Sequence, residues 1–288
     1  MTDLQTSTKK RVLFIDQIKA LMIALVIAVH VTMVFSFGWY GVYIPIDEAL
    51  HPFFAGVVVW LLFFCNSFFM YMLFLLSGYF VPRSVHRKGV VRYLKERLLR
   101  IGVPLLLGLL LINSSSWLLG RLSPTSKTAD VFWRDLPFSH LGVLWFLVVL
   151  FTFDLIYCAW VKLRGDHFAI NTSLPTPQLR SWLISAAVLA ILELVLATQK
   201  ELWVFVARLP LGGLETQGSH VFTYAFLFFL GCKASSHRWL ERLNHHLVVR
   251  WFRFSIAVAL SLLAICLVLA FNGSLEISGE MFRFWQIF

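Results

Sequence analysis

Residues 12–37 read VLFIDQIKALMIALVIAVHVTMVFSF, an apolar run interrupted by three ionisable side chains, Asp16, Lys19 and His30. A helix of about 17–25 apolar residues crosses a bilayer core, so this run is long enough to span. It exceeds the core of a signal peptide and has no convincing small-residue cleavage site, and it reads as a first membrane helix. Lys19 and His30 are eleven positions apart. At roughly 100° per residue this is three turns plus about 20°, which sets both on one face, about 16 Å apart along the axis. Asp16 falls on nearly the same stripe, as an i,i+3 neighbour of Lys19. An Asp or Lys at mid-span costs at least about 2.5–3.5 kcal/mol, so the stripe needs partners or a cavity. Two readings meet that need. One is an Asp16–Lys19 pair near the interface with a hydrogen-bonded structural histidine; the other is a functional stripe.

The rest of the chain repeats the pattern. Of 288 residues, 59% are hydrophobic and 14% charged, with 28 Phe and 11 Trp, against about 45–50% apolar and about 25% charged in a soluble domain. The excess is spread along the whole length, which excludes a soluble enzyme on a single anchor and excludes intrinsic disorder. Further spans are expected at about 53–81, 98–119, 140–161, 181–198, 220–232 and 254–271, with Asn66-Ser67 marking a bend in the second. Residues 281–288 begin a partial eighth. Lipid cannot satisfy an open backbone, so the expected fold is all-α: a polytopic transmembrane bundle of about seven spans.

The net charge of +10 resolves into orientation rather than nucleic-acid binding. Eighteen of the Lys and Arg residues fall on one side of the proposed spans and five on the other, which makes the N-terminus cytoplasmic. The four cysteines, Cys65, Cys158, Cys232 and Cys266, lie in or at the end of apolar stretches without metal-ligand spacing and read as small buried hydrophobes. No metal is expected.

Three further stretches carry polar chemistry. Phe74-Leu-Leu-Ser-Gly-Tyr-Phe80 ends the second span, and its Ser77-Gly78 is either a small-residue helix contact or part of a site. Seven cations follow between Arg83 and Arg100. They attract anionic headgroups or hold a phosphorylated ligand, which guanidinium forks suit. Arg97 and Arg100 are i,i+3 and able to point the same way. Leu144-Trp145-Phe146-Leu147 opens the fourth span, where Trp145 is an interfacial anchor or a substrate contact. Asn113 and Ser114 to Ser116 either line a polar cavity or satisfy one another.

Taken in this order, the motifs resemble those of the acyltransferase-3 family of integral membrane acyltransferases. The family's basic residue, ten intervening positions and histidine match Lys19 and His30, preceded by Asp16. Its Phe-x-x-Ser-Gly-Tyr signature matches Phe74, Ser77, Gly78 and Tyr79, its Arg-x-x-Arg matches Arg97 and Arg100, and its Leu-Trp-Phe-Leu matches Leu144 to Leu147. Phe228 to Gly231 adds a Phe-x-x-Gly segment. The resemblance implies one membrane-embedded domain over residues 1–288, lacking the family's last helices, in a bacterial inner membrane. It implies transfer of an acetyl, succinyl or similar group from acyl-CoA to a hydroxyl of an exported glycan or lipid.

In that scheme His30, Lys19 and Asp16 are the catalytic stripe. Arg97, Arg100, Ser77 and Tyr79 hold the donor, acetyl-CoA or succinyl-CoA, while Trp145 and Asn113 face the acceptor. His30 acts as general base or as a transient acyl-imidazole. The competing classes are a transporter or flippase, with Asp154 and Glu193 in a proton relay, and a non-catalytic homologue.

Overall fold

The structure, a computed structural model, describes residues 17–32, 52–115, 144–164, 177–198, 220–242 and 245–273. We label the helices α1 (Gln17–Thr32), α2 (Pro52–Asn66), α3 (Phe69–Lys88), α4 (Val90–Leu107), α5 (Trp145–Arg164), α6 (Leu179–Thr198), α7 (Val221–Ser236) and α8 (His245–Phe271). A wider π turn, Gly108–Asn113, continues α4. Among the described residues every regular element is helical. Among the described residues four stretches are long and apolar enough to cross a membrane: Pro52–Lys88, Trp145–Arg164, Leu179–Leu196 and Val248–Phe271. α1 and α7 are apolar but shorter.

The exterior confirms what solvent this fold needs. Leu183, Ile184, Ile191 and Leu194 on α6, and Phe252, Leu260, Ile265 and Val268 on α8, are all exposed. Apolar faces of this extent are untenable in water and natural against acyl chains.

The expected bend in the second span lies between α2 and α3. Ser67 Oγ donates to the Phe64 carbonyl at 2.7 Å, and Phe68 N–H reaches Cys65 O at 3.3 Å. A serine hydroxyl offers the backbone an alternative partner, and the helix restarts one turn later. Elsewhere the helices outrun the apolar stretches that announced them. α3 continues through Pro82 to Lys88, α4 begins at Val90, and α8 begins at His245. Apolarity ends where the headgroups begin, whereas intrahelical hydrogen bonding continues into the polar zone. His245-His246 therefore opens α8, exposed. The α3–α4 turn rests on Gly89, whose φ of +76° is a region that L side chains rarely adopt.

α3 and α7 form the centre of the bundle and run in the same direction, since Tyr71 meets His220 and Tyr224 near their starts and Tyr79 packs with Ala234 further along both. Their approach is set by two glycines. A Cβ on Gly78 would collide with the Phe228 carbonyl, and one on Gly231 with the Leu75 carbonyl. Small residues let helix backbones touch in lipid, where dispersion replaces the hydrophobic drive. α2 packs on α8, with Trp60 Nε1 donating to Ala259 O at 2.8 Å. α4 packs on α5. Phe74 sits at the core, fully buried among the rings of Tyr224, Phe146, Phe153 and Trp145. Cys65, Cys158 and Cys232 are buried and Cys266 half-buried, all as free thiols.

Candidate functional site

α3 carries two polar centres, one on each side of Phe74. The first is built around Asp154, the one acid on α5 and completely buried. A desolvated carboxylate persists only when paired and hydrogen-bonded. Arg97 Nε donates to its Oδ2 at 2.6 Å, and the Tyr93 hydroxyl donates to its Oδ1 at 2.8 Å. Tyr93 and Arg97, four residues apart on α4, reach it from one helix face. Arg97 Nη2 donates onward to Ser77 Oγ at 2.8 Å. One guanidinium thus joins α3, α4 and α5.

Around this centre the basic end of the bundle is partly self-neutralised. Lys88 and Arg92 both pair with Glu96, the latter at 3.1 Å. The hydrogen bond from Lys88, seconded by that from Arg92, holds the Glu96 carboxyl below its ordinary range. Arg83 stands over the Tyr79 ring, 5.3 Å from its centroid. Arg100 is exposed. The two arginines of the Arg-x-x-Arg pair therefore do not act as one fork. Positions i and i+3 differ by roughly 60° around a helix, enough for Asp154 to capture Arg97 at the α4–α5 seam while Arg100 faces out.

On α1, the Lys19 ammonium lies 4.1 Å from the centroid of Phe80, a cation–π contact that brings Lys19 against the middle of α3. Met22 and Val29 on α1 are buried in the main core. His30 is half-buried, and its Nδ1 is 2.7 Å from the Val26 carbonyl. A carbonyl only accepts, so Nδ1 carries the proton and Nε2 keeps the basic lone pair in the neutral ring.

The second centre lies toward the other end of α3. Tyr71 Oη and Glu193 Oε1 approach His220 Nδ1 at 3.0 and 3.2 Å. Thr223 adjoins the same carboxylate. Trp145 stacks on Tyr224, which stacks in turn on Phe74.

Of the residues singled out from the sequence, the structure joins Arg97 to Ser77, sets Lys19 against the residue following Tyr79, and seats Trp145 in the aromatic stack beside Phe74. Tyr79 is buried, edge-on to Phe80. Asn113 ends the π turn. Asp16 lies outside the described residues. Gly78 and Gly231 are helix-contact residues, set against the Phe228 and Leu75 carbonyls. The sequence reading missed Tyr93 and His220 and left Asp154 and Glu193 to a rival class. The available signal was Asp154 itself: a lone acid within an apolar helix demands a cation, though spacing alone does not say whether Arg97 or Arg100 supplies it.

The fold and these centres define a helical membrane protein with a buried ionic site near its basic end and a carboxylate–imidazole pair near the other. A family model described as an acyltransferase domain matches residues 12–288; the chain belongs to the acyltransferase-3 family. It is similar to glucans biosynthesis protein C from Escherichia coli O6:K15:H31, with 28% identity over 171 residues, covering 54% of this chain and 40% of that protein. It is also similar to the protein of that name from Salmonella paratyphi B, with 26% identity over 240 residues, covering 78% and 58%. In these two comparisons the chain covers 40% and 58% of its relative's length. No solved structure matches.

Proposed function

We propose that this chain is a membrane O-acyltransferase that takes an acetyl, succinyl or similar group from cytoplasmic acyl-CoA and places it on a hydroxyl of an exported glycan. What supports this is the gathering of separate motifs at the middle of α3, where Arg97 bonds Ser77 and Lys19 covers Phe80. The name of the relatives favours a glucan as acceptor.

In this reading the basic end faces the cytoplasm. The exposed Arg100 and its neighbours gather the phosphates of the donor, and Arg97, held by Asp154, fixes the mouth of the path. The pantetheine arm rises along α1 past Lys19. His30, about 16 Å further along α1, meets the thioester. Its Nε2 accepts the proton of the acceptor hydroxyl, and the oxygen attacks the thioester carbonyl. The C–O bond forms, the C–S bond breaks and the CoA thiolate leaves. The protein sits in a bacterial inner membrane.

Membranes containing the chain, supplied with labelled acyl-CoA and a glucan, test this. Label should move to the glucan, and His30→Ala should lower the rate at least about 100-fold with folded protein retained. Arg100→Ala should raise KM for acyl-CoA with little change in kcat. Turnover by folded His30→Ala at the wild-type rate would refute the assignment.

A further inference from the structure

We propose that the cluster of Tyr71, Glu193, His220 and Thr223, with Trp145 beside it, is the subsite that holds the hydroxyl groups of the acceptor. The proposal rests on the acyl-transfer reading and deepens it at the end of the bundle opposite the basic face.

The cluster is six residues from Ser77 along α3, roughly 9 Å, and is separated from it by the buried ring of Phe74. Its composition differs from that of the donor end. Among the described residues no lysine or arginine pairs with Glu193; its neighbours are an imidazole, a phenol and an alcohol. A carboxylate that, among the described residues, is balanced by a protonatable ring repels phosphates and carboxylates, and it accepts hydrogen bonds from O–H donors. A neutral polyol is the ligand class that suits it.

The hydrogen bonding is also incomplete. Glu193 Oε1 and Thr223 Oγ1 are sealed from solvent without an aligned partner. Thr223 is 9% exposed, and His220 Nδ1 stands 3.2 Å from Glu193 Oε1. An unsatisfied carboxylate oxygen in a buried site is costly, and a hydroxyl-bearing ligand would relieve it. The Glu193 side chain is 23% exposed, and Tyr71 and Trp145 are half-buried. Trp145 stacks on Tyr224 at 5.6 Å between centroids and extends the aromatic wall beside the cluster. Aromatic rings of this kind pack against the apolar faces of sugars while polar neighbours take the hydroxyls.

A structural role is the competing explanation, because the Glu193–His220 contact also ties the outward-facing α6 to α7. The two roles separate on measurement. The full chain in lipid nanodiscs is assayed for binding of a labelled glucan oligosaccharide, for acyl transfer at varied acceptor and donor, and for thermal stability. Glu193→Gln and His220→Gln keep the size of the side chain and should each raise acceptor Kd and KM about tenfold or more, the loss expected for a hydrogen bond to a charged group. KM for acyl-CoA should not move.

Thr223→Val keeps the shape and should weaken acceptor binding severalfold. If either glutamine variant does not fold, Thr223→Val decides. Unchanged acceptor Kd and KM in folded variants would overturn the subsite and leave acyl transfer standing if the wild-type chain transfers. A wild-type chain that binds glucan without transferring sinks the reading of the reaction, and the subsite is then judged on binding alone. A chain that neither binds nor transfers overturns both.

Discussion

Replacing Asp154 with asparagine tests whether the Arg97 centre is an ionic lock. The carboxylate has no solvent exposure, and the Arg97 side chain retains 25%. Asparagine keeps an acceptor for the Tyr93 hydroxyl, and Arg97 keeps its bond to Ser77. What disappears is the charge opposite the guanidinium at 2.6 Å. Removing one partner of a buried pair costs about 3–5 kcal/mol. The lower end applies here, because Arg97 is a quarter exposed and its long side chain can turn toward headgroups in both folded and unfolded states. We expect Asp154→Asn to cost about 2–3 kcal/mol, and Asp154→Leu about 1 kcal/mol more for the orphaned Tyr93 hydroxyl. The double change Arg97→Met, Asp154→Leu should recover most of the loss, since an apolar pair of similar volume pays no desolvation. Unfolding in mixed micelles, by heat and by denaturing detergent, gives the three values. Asp154→Asn within about 0.5 kcal/mol of wild type, or a double variant no better than the worse single one, would refute the reasoning.

The glycine contact between α3 and α7 makes a sharper structural prediction. Gly78→Ala and Gly231→Ala drive a methyl group into a backbone carbonyl and should cost more than about 3 kcal/mol, seen as loss of folded protein from membranes. Gly89→Ala meets no neighbour within 4 Å but must hold a φ of +76°; it should cost about 1–3 kcal/mol and leave expression intact. The Glu96 contacts predict a pH dependence. Its folded pKa lies below the ordinary value of 4.5, so the stabilisation is complete above that value and is lost as pH falls through the lower folded one. The difference in Tm between wild type and Glu96→Gln should therefore shrink between pH 6 and pH 3; a constant difference would contradict the pairing.

Much of the fold was legible because lipid imposes simple rules. Apolar length announced the helices, and the serine at the α2–α3 break announced itself through its competing hydroxyl. The ends of the helices were less legible. Hydropathy reports where lipid stops, while α3 and α8 carry basic residues in their end turns and keep their backbone hydrogen bonds beyond that point. Within the site, the contact of Lys19 with Phe80 on α3 could not be read from the spacing of Lys19 and His30. Nor could the Arg97–Arg100 pair be read that way, because spacing states only that two side chains share a side and not which one a buried acid on another helix will capture.

The sequence by itself determined the solvent, the helical class and the family, since each depends on composition or on motifs local to one segment. Only the tertiary structure decided the partners. It made Gly78 and Gly231 a contact between parallel helices, turned Arg97 toward Asp154 and Ser77, and brought His220 to Glu193 and Tyr71. These pairings join residues 20, 27, 57, 149 and 153 positions apart. No local pattern encodes such separations. They arise because a buried charge must find its counter-charge among whatever helices the packing places at the same depth.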